Sequence, residues 1–256
     1  MRDILVFTGT RADFGLLRGL IRALNARNDV KARLLVSGSH LDPAHGNTVT
    51  EIEAEGFEIA ARVPIWSGDD GATAAAVETG AAVSSYARDL ARLSPDLVVV
   101  LGDRLESFAM ATAATVLSIP VAHIHGGEIT EGAMDDALRH SITKLSYLHL
   151  TTTDAHRARV IQLGEDPRRV VNLGAPIVDA LTELDLFDRA TVESRFGVHL
   201  SQPTAIMTFH PAAYDSVNTA ELTARTIAAA LATPELHLII TGTNTDIGSD
   251  AVRTVI

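Results

Sequence analysis

Between residues 123 and 144 the sequence reads HIHGGEITEGAMDDALRHSITK, which crowds His125, Glu128, Glu131, Asp135, Asp136, Arg139, His140 and Lys144 into one short stretch. These side-chain types transfer protons or hold an anion. Gly126 and Gly127 interrupt them, and glycine lets a ligand approach the backbone closely. Asp135 and Arg139 lie four residues apart, as do Asp136 and His140, so each pair shares one side of a helix. A second candidate group follows VVVLG, where Asp103 and Arg104 come directly after Gly102. An aspartate there either caps the next helix or turns its carboxylate into the crevice at the strand end. The spacing leaves both readings open.

Weaker signals sit at other turns. TGTRADFGLL (8–17) sets Arg11 and backbone N–H groups beside a helix start, which suits a phosphate; the bland reading is a tight turn with a surface arginine. His40, in SGSHLDPAHGNT (37–48), follows another apolar run. His210 in TFHPAAYD (208–215), and Asn244 and Asp246 in ITGTNTDIGSD (240–250), do the same near the C-terminus. No histidine and carboxylate set has zinc-site spacing, and there is no phosphate-binding P-loop, three-glycine dinucleotide fingerprint or GxSxG elbow.

The elements that must position these groups alternate in type. Apolar runs at 4–7, 32–36, 96–101, 120–124, 147–150 and 169–173 suit strands buried on both faces. Helical patterns at 12–27, 47–55, 72–93, 105–117, 135–145 and 154–163 separate them. Such alternation predicts an α/β fold with a parallel, doubly wound sheet, whose ligands gather beyond the C-terminal strand ends. We expect an N-terminal Rossmann-like domain over 1–182 that carries the catalytic loops. A connector at 183–202 follows, with a short helix at 190–196. A second α/β, nucleotide-binding domain begins at 203 with strand 204–209, helix 219–232 and strand 236–241. One β-α-β unit cannot cover both faces of its sheet, so this second domain reads as incomplete. The alternative is that its strands extend the first sheet.

Composition narrows the function classes. Apolar residues make up 46% of the 256 residues and aromatics only 4%, so aliphatic side chains and alanine must fill the core. A net charge of −11 argues against nucleic acid as a partner. The absence of cysteine excludes disulfides, thiolate metal sites and a cysteine nucleophile. No apolar run approaches the ~18 residues of a membrane span, and the N-terminus does not read as a signal peptide. The expectation is a cytoplasmic protein with neither membrane nor nucleic-acid partners, self-association being the remaining partner state.

The segments TGTRADFGLL, GSHLDPAHGNT, LGDRLESFAMATAA, HIHGGEITEGAMDDALRHSITKLSYLHL, LGAPIVDAL and TFHP, spread over about residues 1–215, together resemble the hydrolysing UDP-N-acetylglucosamine 2-epimerases of sialic acid synthesis. The resemblance implies two Rossmann-like domains (a GT-B-like arrangement) with a nucleotide-sugar in the cleft between them. It implies no cofactor and no metal. It also implies loss of the sugar C2 proton with expulsion of UDP, a glycal intermediate, and water addition that yields N-acetylmannosamine. Matched by position, Asp103 and Asp135 are the leading acid/base residues, with Asp136 and Glu128 assisting. Arg11 and His210 match diphosphate contacts, and His40 and Arg139 match groups that orient sugar or carboxylates; Asn244 is a further substrate-binding candidate. His125 stands where animal relatives carry glutamate, so either it serves as a proton carrier or Glu128 takes that task. Family members extend past 256 residues, so the sequence reads as a fragment or a truncated product. Other readings are an epimerase for a 2,4-diacetamido UDP-sugar on the legionaminic acid route, a non-hydrolysing epimerase, a glycosyltransferase, or an inactive nucleotide-sugar-binding remnant.

Overall fold

The computed structural model describes residues 1–65, 71–210, 218–243 and 248–256. Two compact units divide the chain between Glu183 and Leu184, except that the few residues just before Thr73 group with the second. In the first unit seven strands form one sheet: β1 (Arg2–Thr8), β2 (Val30–Ser37), β3 (Ile59–Val63), β4 (Leu97–Leu101), β5 (Val121–Ile124), β6 (Leu148–Thr151) and β7 (Val170–Asn172). Their order is β3-β2-β1-β4-β5-β6-β7, and every neighbouring pair is parallel. The helices are α1 (Arg11–Asn25), α2 (Val49–Ala54), α3 (Ala72–Leu93), α4 (Leu105–Val116), α5 (Asp135–Leu145), α6 (Asp154–Gln162) and α7 (Pro176–Glu183).

The strand runs are apolar without alternation because both faces are covered. Successive residues enter opposite layers. Leu5, Phe7, Leu35, Val98 and Val100 pack with Ala82, Tyr86 and Leu90 of α3 and with the alanines of α4. Val6, Leu34, Val36 and Val99 pack with Phe14, Leu17 and Ile21 of α1 and with Ile52 of α2. Small residues on α4 (Ala109, Ala111, Ala113 and Ala114, all buried) bring that helix close to the sheet, which is how a core poor in aromatics fills its volume.

From β1 the chain moves outward to β2 and β3, then returns to place β4 on the other side of β1. That reversal opens a crevice beyond the C-terminal ends of β1 and β4, where open α/β sheets bind ligands. The turns Gly9–Thr10 and Gly102–Asp103 lie at those ends.

Two elements of this unit were not expected from the sequence. β3 is an edge strand whose residues Ile59–Arg62 are exposed or half-exposed, so IAARV lacks a continuous apolar run. α7 is a short helix opened by Pro176, a residue suited to a first helical turn.

The second unit contains α8 (Arg189–Phe196), β8 (Thr204–Met207), α9 (Thr219–Leu231), β9 (His237–Ile240) and α10 (Ser249–Arg253). Asp188 caps α8 by accepting the Thr191 N–H at 2.8 Å, and Gly197 ends it at φ +64°. β8 and β9 pair in parallel as their own sheet, so among the described residues they do not extend the first. No helix among the described residues is long and apolar enough to cross a membrane.

Candidate active site

The turn after β1 is organised by Asp13. Its carboxylate accepts the N–H groups of Gly9 at 2.9 Å and Thr10 at 3.0 Å, and Thr10 Oγ1 in turn accepts the Asp13 N–H, completing a capping box on α1. The amides expected to face a phosphate are therefore taken by an internal carboxylate. Arg11 is what this turn leaves outward, with 72% of its side chain exposed and only a 3.9 Å approach to Glu51.

His40 is the group expected to orient sugar or carboxylates. Its side chain is fully buried, and both ring nitrogens are engaged. Thr8 Oγ1 lies 2.7 Å from the Asp13 carboxylate, which can only accept, so the hydroxyl proton points there. The His40 Nε2–H then donates to Thr8 at 2.9 Å, and Nδ1 accepts from Thr48 at 2.8 Å. Burial holds this histidine below its usual range, partly opposed by Asp13. The sequence showed His40 beyond a strand, but not that the 3-10 turn Gly38–Leu41 tucks its ring beneath Thr8.

Asp103 does not cap α4. Arg104 occupies the N-cap position, with no side-chain bond to the helix amides. The Asp103 carboxylate instead forms a close ion pair with Arg139 Nη2 of α5. Arg139 is nearly buried, donates to Thr130 Oγ1 at 2.9 Å, and has Asp136 at 3.6 Å. Asp136 accepts the Thr130 N–H at 3.2 Å and lies 3.7 Å from His140. The i,i+4 pairing of Asp136 with His140 thus forms, whereas Arg139 pairs with Asp103 and, one turn back, with Asp136. Asp135 opens α5 beside this network, half-buried. Arg139 Nε and Nη1 are buried without a hydrogen-bond partner among the described residues, so the guanidinium keeps donor capacity.

A second cluster forms at the ends of β5 and β6. His125, whose backbone N–H donates to Leu150 O at 3.1 Å, sits at φ +70°, a region sparse for side chains with a Cβ. Its Nδ1 lies 2.9 Å from Glu128, which also accepts from Thr152 Oγ1 at 2.9 Å. Partial burial alone would raise the Glu128 carboxyl. The bonds from His125 and Thr152 and the proximity of His125 and His156 outweigh that burial and bring it to about 2.

His123 was missed by sequence reasoning, which read it as part of the strand. It is fully buried on β5, donates from Nε2 to Gly102 O at 2.7 Å, and faces Thr143 Oγ1 at 3.2 Å. It ties the Asp103 turn to α5. Burial lowers its pKa to about 3 despite the Gly102 bond. The unfolded chain therefore binds the proton first. The resulting loss of stability should begin as pH falls below about 6.5 and grow until about 3. Urea unfolding of the wild type and of His123→Gln across that window checks this; the variant should show the shallower slope.

Gly127 explains why the glycine pair is needed. It has φ +83°, and a Cβ there would lie 2.4 Å from His156 O and 2.9 Å from Val160 Cγ2. Gly127→Ala should cost about 2–4 kcal/mol from left-handed strain plus overpacking, read as a lower urea midpoint.

In the second unit, His210 is exposed, three residues beyond β8. Nearby, Thr208 and Thr241 hydroxyls meet at 2.6 Å across the two strand ends. Asn244 and Asp246 lie outside the described residues. Among the described residues, no group of three or more His, Asp or Glu is arranged to hold a metal ion.

Comparison with known proteins adds independent findings. A family model described as UDP-N-acetylglucosamine 2-epimerase matches residues 22–256. The chain is 35% identical over 256 residues to the UDP-N,N'-diacetylbacillosamine 2-epimerase (hydrolyzing) of Legionella pneumophila, covering 100% of this chain and 67% of that protein. It is 35% identical over 254 residues to the polysialic acid biosynthesis protein P7 of Escherichia coli, covering 99% of this chain and 65% of that one. The chain thus spans about two thirds of these relatives. Among solved structures, UDP-GlcNAc 2-epimerase from Neisseria meningitidis bound to UDP-GlcNAc superposes with a TM-score of 0.81 at 19% identity, covering 100% of this chain and 70% of that one. At that identity the likeness concerns the fold.

Proposed function

The chain belongs to the UDP-N-acetylglucosamine 2-epimerase family, with its GT-B-like α/β fold, and from that premise we propose that it serves a hydrolysing 2-epimerase that converts UDP-N-acetylglucosamine and water to N-acetylmannosamine and UDP. The observation that carries this reading is the Asp103–Arg139 pair at the β1/β4 crevice, with Asp135 and Asp136 on the same helix as Arg139.

The C2 proton of an acetamido sugar is weakly acidic, so a held base must take it as the anomeric C–O bond breaks. Asp103 and Asp135 are the proposed acid/base pair. The C2–H electron pair becomes the C1–C2 double bond, and the C1–O pair leaves with UDP. Protonation at C2 from the other face and addition of water at C1 complete the inversion. Carboxylates near the anomeric carbon favour its developing positive charge. The uncommitted Arg139 donors suit an oxygen-rich ligand. Arg11, outward beside the β1 turn, is the proposed diphosphate contact from this unit.

Incubation with UDP-N-acetylglucosamine, followed for UDP and free N-acetylmannosamine, tests the proposal. A parallel reaction with UDP-N,N'-diacetylbacillosamine measures preference. Release of UDP with N-acetylmannosamine is expected. UDP-N-acetylmannosamine as product, or turnover of the diacetamido sugar alone, would overturn the assignment.

A further inference from the structure

His125, Glu128, Thr152 and His156 come from the turn after β5, the turn after β6 and the first turn of α6. Their hydrogen bonds converge on the Glu128 carboxylate. Thr152 Oγ1 lies 2.9 Å from Glu128 Oε1 and 2.7 Å from His156 Nδ1. An ionised carboxylate only accepts, so the single hydroxyl proton belongs to the Glu128 bond. The threonine oxygen then accepts from His156, which must carry its proton on Nδ1. At the far end, His125 Nδ1 lies 2.9 Å from the same Glu128 oxygen and donates to it. A neutral histidine protonated on Nδ1 has Nε2 as an acceptor. That Nε2 is buried and has no hydrogen-bond partner among the described residues. A buried acceptor in this condition calls for a partner, and a proton received during the reaction would supply one. The positive φ of His125 agrees, since such backbone geometry persists where surrounding contacts over-determine it.

We propose that Thr152 and His156 are positioning residues that act through Glu128 to hold His125 protonated on Nδ1, leaving Nε2 as the base that receives a proton from the water adding to the sugar. The inference rests on the hydrolysing-epimerase reading and assigns the third proton-transfer group of that site. As the water oxygen bonds to C1, its O–H pair stays with oxygen and the proton passes to Nε2. The imidazolium formed faces the Glu128 carboxylate and returns its proton to solvent once the product leaves. The carboxylate pair handles the two C2 protons. The net proton released matches the extra negative charge on free UDP.

The test uses the full chain labelled with 15N-histidine, with long-range 1H–15N spectra reporting which ring nitrogen carries the proton. Thr152→Val keeps the side-chain shape and removes the hydroxyl; Thr152→Ser keeps the hydroxyl. His125 should be protonated on Nδ1 in the wild type and in Thr152→Ser; in Thr152→Val the Glu128 carboxylate loses the donor that aims it at His125, and the histidine should become a tautomer mixture. kcat on UDP-N-acetylglucosamine should fall about 10-fold in Thr152→Val with KM nearly unchanged, and Thr152→Ser should recover most of it. An unchanged tautomer in Thr152→Val, or a changed tautomer with a wild-type kcat, would overturn the proposal. A wild type that releases no UDP overturns the epimerase reading itself, before any variant is compared.

Discussion

Asp103→Asn should lower kcat by at least about 100-fold while leaving the fold in place, and Asp135→Asn should do the same. Asn keeps the shape of Asp103 and its amide oxygen still accepts from Arg139, so the β4 turn stays anchored to α5. What is lost is the capacity to take a proton and the negative charge proposed to lie beside the anomeric carbon. Steady-state kinetics of UDP release, with circular dichroism to confirm the fold, reads both. A loss confined to kcat would mark an interaction made in the transition state, whereas a rise in KM alone would mark ground-state binding. Wild-type rates in either variant would remove that residue from the proton-transfer set.

Arg139→Met should destabilise the first unit by about 3 kcal/mol and abolish activity as well. The Arg139 side chain is 5% exposed, and it separates the carboxylates of Asp103 and Asp136, which are 21% and 35% exposed. Removing the cation leaves two partly buried acids without their shared counter-charge. The cost sits at the low end for a broken buried pair because water reaches both acids. Urea unfolding measures it. Because Asp103 and Arg139 touch, their effects should not add: Asp103→Asn in the Arg139→Met background should recover part of the lost stability. Strict additivity would mean that the pair contributes nothing as a pair.

Several features of this site could be read along the chain, and the reason is local. The i,i+4 spacing of Asp136 and His140 is a property of one helix, and those side chains do approach at 3.7 Å. The runs LVVVL and VAHI are nearly continuous in apolar residues because their strands are covered on both faces. The edge strand β3 escaped because Ile59–Ala61 are only half-covered and the exposed Arg62 breaks the apolar run. Asp103 as helix cap or as crevice carboxylate could not be decided from spacing, since the deciding partner, Arg139, lies 36 residues away.

The stretch from Gly102 to Lys144 shows how the two sources of information divide. By itself the sequence determined the parallel α/β class, the presence of acid/base groups at strand ends, and the resemblance that led to the family. Those follow from residue type, period and order, which are written along the chain. Only the tertiary structure decided which groups meet. It gave Arg139 to Asp103 rather than Asp135, enclosed His40 between two threonines, and joined His125 to His156 through Glu128 and Thr152. Hydrogen bonds are short and directional, so their partners depend on how separate strand ends are aligned by the sheet register. No linear spacing encodes that alignment.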